Sequence, residues 1–314
     1  MTSGVKIVLV SILSLILIFL IGILTFGILN KDKLGLTIYS FDNMKDLTVV
    51  KSETFDATSI NHFKISTTSA DIRFVVSEDN SFKVEQYAKS DLESEYYFGV
   101  TNAGGTLSIT ENQRKINFSF FGWGYRGSLF IVHVPADYAN QFTINTVSAD
   151  VEMLPALNVS ELTVKTTSGE IDFASPVTTN KFEFTSVSGD VELTEITGNG
   201  KIKTTSGQIE ADLMNGLVEC SSVSGDIKVG HLIQGGEFKT TSGSVRFEQF
   251  NISANTKITS VSGDVKIGLT ADSNYQITTK TVSGDVKYPS RGTVYGEARS
   301  DLDIKTTSGN IHIN

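Results

Sequence analysis

The chain has very little cysteine, with Cys220 the only one in 314 residues. A single thiol cannot form an internal disulfide, so no such bridge stabilises this fold. The four histidines, His62, His133, His231 and His312, are too scattered in the sequence to suggest a metal cluster. The sequence therefore gives no sign of a disulfide framework or of a histidine metal site.

Clusters of basic residues are also absent. The chain carries 26 Lys and Arg against 35 Asp and Glu, for a formal net charge of −9. Binding to nucleic-acid phosphates requires Lys and Arg gathered on one surface, and no run of these residues occurs. We therefore expect no nucleic-acid partner.

One long apolar run stands at the start of the chain. Residues 7–29 contain no charged side chain, and as a helix they would be about 35 Å long, enough to span a bilayer. The run has no Ala-x-Ala cleavage pattern, which favours an uncleaved anchor over a signal peptide. We predict a transmembrane helix within residues 1–30, although Lys6 on one side and Lys31 and Lys33 on the other do not settle its orientation.

Beyond the anchor no stretch has helical spacing, and the apolar residues alternate with a period of two. Residues 31–60 are expected to be a juxtamembrane connector with the first strands, and residues 61–140 a strand-rich part of the same fold. Residues 63–74 alternate on either side of a small-residue corner, as a pair of half-buried strands would. Further alternating runs lie at 82–87, 106–110 and 128–134, and a glycine-punctuated aromatic segment, 117–127, lies between the last two.

A repeated Ser-Gly phrase organises residues 141–314. The position of the glycine in each Ser-Gly is called the anchor position of the repeat, and Ala takes this place in the first copy. Successive anchor positions are 20, 20, 18, 18, 18, 20, 21 and 25 residues apart: Ala149, Gly169, Gly189, Gly207, Gly225, Gly243, Gly263, Gly284 and Gly309. Regular spacing near 20 residues is typical of a solenoid. The sequence predicts an all-β fold, a parallel β-helix or β-solenoid with 18–21 residues in most coils. Its coils would form a rod of about 45 Å at about 4.8 Å per coil.

The residues around each anchor predict a sharp corner. The positions two after and five before it are almost wholly apolar, so they would face a shared core. We expect glycine to supply a positive φ at the bend, and the Ser and Thr hydroxyls to bond to backbone groups or to the next coil. We interpret the corners as structural and not as catalytic serines: Ser168, Gly169, Ser188, Gly189, Ser206, Gly207, Ser224, Gly225, Ser242, Gly243, Ser262, Gly263, Ser283, Gly284, Ser308 and Gly309.

Charges in the outward columns also follow the repeat. Lys four residues before the anchor and Asp one residue after it mostly occupy alternate coils, which keeps like charges from lying directly opposite one another. The column three residues after the anchor changes from acidic (Glu152, Asp172, Glu192, Glu210) to basic (Lys228, Arg246, Lys266, Lys287). Such a gradient is compatible with a solvated face, with guided stacking or with a charged partner.

The repeats resemble those of the bacterial DUF4097 family of β-strand-repeat proteins, which carry the name "putative adhesins" and whose repeats look like TTSGDI or SVSGDV. The likeness covers residues 60–314 and includes Val134-Pro135 followed by residues 142–144 leading into the array. It implies a parallel β-helix-like solenoid and, in anchored members, a location outside the cytoplasm at the cell envelope. It implies no catalytic residues. The sequence departs from the pattern in its aromatic insertion and in Ala70 and Ala149.

Enzymatic and metal chemistry are weighed against this scaffold interpretation. The aspartates one residue after the anchor could supply paired carboxylates for cleaving a glycan, or ligands for calcium. They recur as part of the repeat, whereas a catalytic pair occupies one or two coils, and the calcium-binding nonapeptide is absent. We therefore expect neither an enzyme nor a protein that needs a cofactor or metal.

The aromatic segment is the candidate binding site. Its rings could bind a sugar, a membrane surface or a protein, or they could cap the open end of the solenoid core: Phe118, Phe120, Phe121, Trp123 and Tyr125.

The sequence thus favours a single-pass envelope protein with a non-catalytic, adhesin-like binding or scaffold role and a glycan or envelope protein as partner. A sensor of envelope stress that binds cationic peptides is the alternative, and a glycan-active enzyme is less favoured. Since the final coil at 300–314 has no evident cap, we expect it to pair with another chain or with residues 289–301.

Overall fold

The computed structural model describes residues 47–112, 128–270, 275–288 and 300–314. These ranges contain β-strands and two short 3-10 helices, Ala57–Ser59 and Ser94–Tyr96, and no α-helix. No helix within these ranges is both long enough and apolar enough to cross a membrane. The predicted anchor, residues 7–29, and the aromatic segment, residues 117–127, lie outside the described residues. The prediction of an all-β fold is confirmed for the part described.

Each regular rung of the solenoid has three short strand segments. Face A precedes the Ser-Gly corner, face B follows it, and face C leads from face B back to face A of the next rung. The strands are β1 Thr48–Asp56, β2 His62–Ser66, β3 Asp71–Val76, β4 Ser81–Ala88, β5 Gly99–Ala103, β6 Thr106–Thr110, β7 Leu129–Val134, β8 Gln141–Asn145, β9 Val151–Met153, β10 Leu157–Lys165, β11 Ile171–Phe173, β12 Val177–Thr185, β13 Val191–Lys203, β14 Ile209–Ser221, β15 Ile227–Thr240, β16 Val245–Ile252, β17 Thr256–Ser260, β18 Val265–Leu269, β19 Tyr275–Lys280, β20 Val286–Lys287, β21 Ser300–Lys305 and β22 Ile311–Ile313.

Successive rungs of the array pair in parallel and in register. On face A, Ile144 of β8 lies opposite Val164 of β10, and on face B, Val191 of β13 lies opposite Ile209 of β14. Equivalent residues of neighbouring rungs therefore stack on one another, about 4.8 Å apart. The predicted parallel stacking is confirmed along this part of the chain.

The stacking order at the C-terminal end differs from the order along the chain. β21 pairs with β17 on one side and β19 on the other, and β22 likewise lies between β18 and β20. The rung at 300–314 is thus inserted between the rungs at 256–269 and 275–288. The expectation that 300–314 is the uncovered last coil is wrong, because strands pair with it on both sides, and among the described rungs 275–288 is the outermost.

The N-terminal end shows a similar inversion and adds antiparallel strands. β2 pairs with β8 and β6, and β3 pairs with β9 and β7, so the rung at 62–76 lies between the array and residues 106–134. β4 runs antiparallel to β7, β1 runs antiparallel to β4, and β5 runs antiparallel to β6. The antiparallel strands continue the ladder at an edge where parallel rungs stop, so fewer backbone groups are left unpaired there.

The core is a set of stacked apolar columns, as the alternating sequence predicts. Ile171, Val191 and Ile209 on face B are fully buried. A column on face C, which the anchor spacing does not reveal, is also buried: Leu157, Val177, Ile196, Met214, Leu232 and Phe250. Each such side chain contributes roughly 1.5–3 kcal/mol on burial, so hydrophobic stacking is distributed along the whole rod.

Phenylalanine rings fill the N-terminal part of the core. The ring of Phe63 stacks on Phe82 with centroids 4.7 Å apart and on Phe142 with centroids 4.9 Å apart. Tyr138 meets Phe82 edge-on, and its hydroxyl accepts a hydrogen bond from the backbone N–H of Phe63 at 3.0 Å. Burial raises the pKa of Tyr138 to about 12, so this ring stays neutral within the core.

Candidate binding surfaces

The Ser-Gly corners form one continuous column along the solenoid. The anchor glycines of the regular rungs are buried, and the preceding serines, from Ser168 to Ser308, are exposed. The serines point outward because the chain turns immediately after them, so they do not line a cleft. The exception at the anchor position is Gly284 of the outermost rung, which is exposed.

The corner glycines are required by close packing and not by a positive φ, contrary to the prediction. The residues with positive φ are elsewhere, among them Gly198, Gly216 and Gly236 at the turn from face C to face A. At the corner, a Cβ built on Gly189 would lie 1.8 Å from the carbonyl oxygen of Gly169 in the preceding rung. Atoms do not pack this closely, so a side chain at Gly189 would require the two stacked corners to move apart.

Hydroxyl groups three residues before the anchor tie the corner together. The backbone N–H of Gly243 donates to Thr240 Oγ1 at 3.1 Å, and that hydroxyl donates to the Gly225 carbonyl of the preceding rung at 3.1 Å. Ser260 makes the equivalent bonds to Gly263 and Gly243. These are the backbone and inter-coil bonds that the sequence predicts for this position, and they give the hydroxyls a structural role.

Two kinds of rung alternate along the stack. In one kind, an exposed Val lies two residues before the anchor and Asp one residue after it; in the other, Thr replaces Val and the residue after the anchor varies. The Asp carboxylate accepts a hydrogen bond from the backbone N–H of the following rung, as in Asp190 to Gln208 at 2.7 Å and Asp264 to Asn310 at 2.8 Å. The alternation therefore specifies a hydrogen bond between rungs.

This alternation explains the order of the last three rungs. Along the chain, two rungs of the Val-Ser-Gly-Asp kind follow each other, at 261–264 and 282–285, and Thr-Thr-Ser-Gly-Asn comes last, at 306–310. Insertion of 300–314 between them restores the alternation in space. Asn310 Oδ1 then accepts from the backbone N–H of Asp285 at 3.0 Å. Two consecutive corners of the same kind are the sequence signal that could have revealed the exchange.

Face B carries an acidic surface, defined here as Asp150, Glu170, Asp172, Asp190 and Glu192. Glu152, Asp172 and Glu192 lie directly opposite one another on adjacent strands. Burial first, and neighbouring carboxylates second, raise the pKa values of Glu170, Asp172 and Glu192. In the described part of the chain Asp172 and Glu192 form no ion pair, whereas the carboxylates of face A do.

On face A, in contrast to Asp172 and Glu192 of face B, the carboxylates form ion pairs with lysines. Lys203 Nζ lies 3.0 Å from Glu219, and Lys257 Nζ lies 2.8 Å from Glu237. Lys201 and Glu183 lie 3.4 Å apart. Charges on face A are thus held in ion pairs, whereas face B carries an excess of negative charge over the rungs that contain Asp150, Glu170 and Asp190.

Asp71 lies at the N-terminal end of the acidic surface. Its Oδ1 accepts a hydrogen bond from the backbone N–H of Asp150 at 3.0 Å. Burial, opposed by that hydrogen bond and assisted by the charges of Asp150 and Glu111, raises the pKa of Asp71 to about 6. The Glu111 carboxylate in turn accepts from the backbone N–H groups of Ser69 at 3.0 Å and Ala70 at 3.3 Å, which caps the corner column at this end.

Reactive and metal-binding groups do not gather at a site within the described ranges. No group of three or more His, Cys, Asp or Glu side chains there is placed to hold a metal ion. Cys220 is fully buried, and burial raises the pKa of its thiol, so it behaves as a core residue. The predicted binding residues Phe118, Phe120, Phe121, Trp123 and Tyr125 lie outside the described residues.

Stacked parallel rungs, a continuous apolar core and hydrogen-bonded corners define a β-solenoid repeat protein. The family model described as Toastrack DUF4097 matches residues 60–314. The chain belongs to this family, as the resemblance of its repeats indicates.

Two solved structures are similar to this chain. A "putative adhesin" from Bacteroides fragilis is 16% identical, with 86% of this chain and 98% of that chain covered and a TM-score of 0.46. A "putative lipid binding protein" from Parabacteroides distasonis is 18% identical, with 86% and 97% covered and a TM-score of 0.49. No curated protein matches the chain.

Proposed function

We propose that the protein is a non-catalytic binding or scaffold protein of the bacterial cell envelope, adhesin-like in its action. The observation that carries the proposal is the in-register stacking of near-identical rungs over a continuous buried core. Such a rod holds surfaces at fixed distances without any moving part. Membership of the DUF4097 family and the names given to similar structures support the same role.

The proposal places the rod outside the cytoplasm, anchored in the membrane through residues 7–29. The uncharged apolar run supports this placement, since a stretch of that length spans a bilayer as a helix. A protease added to intact cells should then release the solenoid from the cell surface or from spheroplasts. Complete protection in spheroplasts, with cleavage only after lysis, would contradict the placement.

The binding test uses the aromatic segment. Purified chain should bind cell-envelope fragments or glycans from its own source, and Trp123→Ala should weaken that binding at least several-fold, because tryptophan side chains in binding interfaces often supply much of the binding energy. Tyr288→Ala is the matched control, since Tyr288 is an exposed aromatic residue that does not belong to the segment. Equal binding by all three proteins would assign the segment to a role other than binding, and turnover of the glycan would contradict a non-catalytic role.

A second candidate function, the binding of cationic peptides in sensing envelope stress, is favoured by the acidic surface of face B. Its carboxylates lie opposite one another without basic partners in the described residues, so a cationic ligand would relieve their repulsion. Binding should fall steeply with salt and weaken in Glu192→Gln. The control is Glu219→Gln on face A, where the carboxylate pairs with Lys203. Binding that is insensitive to salt and to Glu192→Gln would exclude this candidate.

A further inference from the structure

A cavity of about 230 Å³ lies on face B where the last three rungs meet. It is lined by Asp264, Lys266, Asp285, Lys287, Asn310 and His312, with Ile311 at its base. Residues 306–314 supply its central strand, so the cavity depends on the insertion of this rung between its two neighbours. None of the contacts that build the corners or the core uses the side chains of Lys266, Lys287 or His312.

One side of the cavity is a row of three bases. Lys266 lies opposite His312 on the adjacent strand, and His312 lies opposite Lys287 on the next. Neighbouring strands are about 4.8 Å apart, so the two lysines lie on either side of the His312 imidazole in one row. In the described part of the protein no carboxylate lies within ion-pair distance of these three. The bases earlier in the same column are paired, as Lys228 is with Glu210 at 3.7 Å.

The other side of the cavity is a row of two carboxylates with an amide between them: Asp264, Asn310 and Asp285. Each stands two residues before a member of the basic row and about 7 Å from it along the chain. Asp264 Oδ1 accepts from the backbone N–H of Asn310 at 2.8 Å, which holds that carboxylate in place. Asp285 belongs to the outermost rung and is exposed, and no described N–H group meets its carboxylate. The cavity therefore offers a basic edge and an acidic edge separated by a short distance.

We propose that this cavity binds a zwitterionic group in which a phosphate is joined by a short linker to a primary ammonium. The phosphate would accept hydrogen bonds from Lys266, Lys287 and His312, and the two lysines would offset its negative charge. The ammonium would donate to Asp285 and to Asp264 on the other edge. A simple anion meets the carboxylates and a simple cation meets the lysines, so only a ligand with both charges satisfies both rows. This site is independent of the function proposed above.

Calorimetric titration of the purified full chain with O-phosphoethanolamine tests the proposal. We expect saturable binding, binding of inorganic phosphate or ethanolamine at least about tenfold weaker, and loss of about tenfold or more in affinity when Lys266 and Lys287 are both changed to Ala. Asp285→Asn should weaken phosphoethanolamine and leave inorganic phosphate unchanged or slightly stronger. Lys239→Ala is the control, since Lys239 is an exposed lysine on face A, and it should bind as the parent does.

Three results would overturn the proposal: no heat of binding at millimolar phosphoethanolamine, equal binding of phosphate and phosphoethanolamine, or equal affinity in the double lysine variant. The backbone circular dichroism of each variant checks that its fold is retained. The same chemistry occurs free and in lipid headgroups, so a second arm uses vesicles with and without phosphatidylethanolamine. Loss of headgroup-dependent binding in the double lysine variant assigns the site to lipid, and binding of the free compound alone assigns it to a soluble ligand.

Discussion

Replacement of Gly189 by alanine tests the central packing claim. A Cβ on Gly189 would lie 1.8 Å from the carbonyl oxygen and 2.5 Å from the carbonyl carbon of Gly169. An ordinary contact is about 1.5 Å longer, so one corner must move away from the other. The rungs resist that movement, because the backbone N–H groups of Ser188 and Val187 donate to the Thr167 carbonyl of the preceding rung at 2.9 and 3.2 Å.

The magnitude follows from these contacts. Overpacking costs typically about 1–3 kcal/mol, and each corner hydrogen bond that lengthens costs about 1 kcal/mol more. Reduced freedom of the unfolded chain returns about 0.4–1 kcal/mol. We therefore expect Gly189→Ala to lower the free energy of unfolding by roughly 3 kcal/mol.

The assay is denaturant unfolding followed by circular dichroism, with Gly99→Ala as the matched control. A Cβ on Gly99 has its nearest neighbour, Asn112 Oδ1, at 3.5 Å, an ordinary contact, so this variant should equal the parent or be slightly more stable. If Gly189→Ala unfolds within about 0.5 kcal/mol of Gly99→Ala, the corners do not pack as described and the explanation of the Ser-Gly phrase fails.

Two further predictions follow from charges at the ends of the solenoid. The pKa of Asp71 is about 6 in the folded chain and near 3.9 in the unfolded chain. Between these pH values the native state therefore binds more protons than the unfolded state. The contribution of Asp71 to the free energy of unfolding is present at low pH and is lost as the pH rises from about 4 to 6. Asp71→Asn keeps the acceptor for Asp150 N–H and should flatten this part of the stability profile; an unchanged profile would place the titration elsewhere. Asn310→Asp would place a third carboxylate between Asp264 and Asp285, so the melting temperature of this variant should fall by several degrees in low salt and partly recover in about 0.5 M salt. A salt-independent change would rule out repulsion as the cause.

Local alternation predicted most of the fold. The strands at 62–66 and 71–76 flank the small-residue corner where the period-two pattern placed them, and the anchor spacing predicted the parallel register of β8 to β18. These features are accessible from sequence because each rung repeats the same short-range pattern. The face C column from Leu157 to Phe250 was not predicted, since its distance from the anchor position is not constant: it is eight residues at Leu157 and seven at Phe250.

The sequence predicted that the corner requires glycine but not the physical reason for it. That Gly169 or Gly189 must be glycine follows from the repeat, but the reason does not: the backbone of one rung meets the backbone of the next, a contact between residues 20 apart. A positive φ, which is a local property, is found instead at Gly198, Gly216 and Gly236. The candidate cavity was likewise not predicted, because His312 follows Lys287 along the chain but lies between Lys266 and Lys287 in the stack.

The sequence by itself determined the kind of rung this protein builds, because alternation, hydroxyl placement and the glycine of each corner act within a single coil or between identical neighbours. Only the tertiary structure decided which rung lies next to which at the two ends. Parallel backbone ladders accept any rung of the right length, so the order of the rungs is set by side-chain interactions between them. The Asp carboxylate of one kind of rung accepts a hydrogen bond from a backbone N–H of the other kind, and the Asp carboxylates of two adjacent rungs of the same kind would repel each other. Those terms place 300–314 inside the stack and bring together the two charged rows of the last cavity.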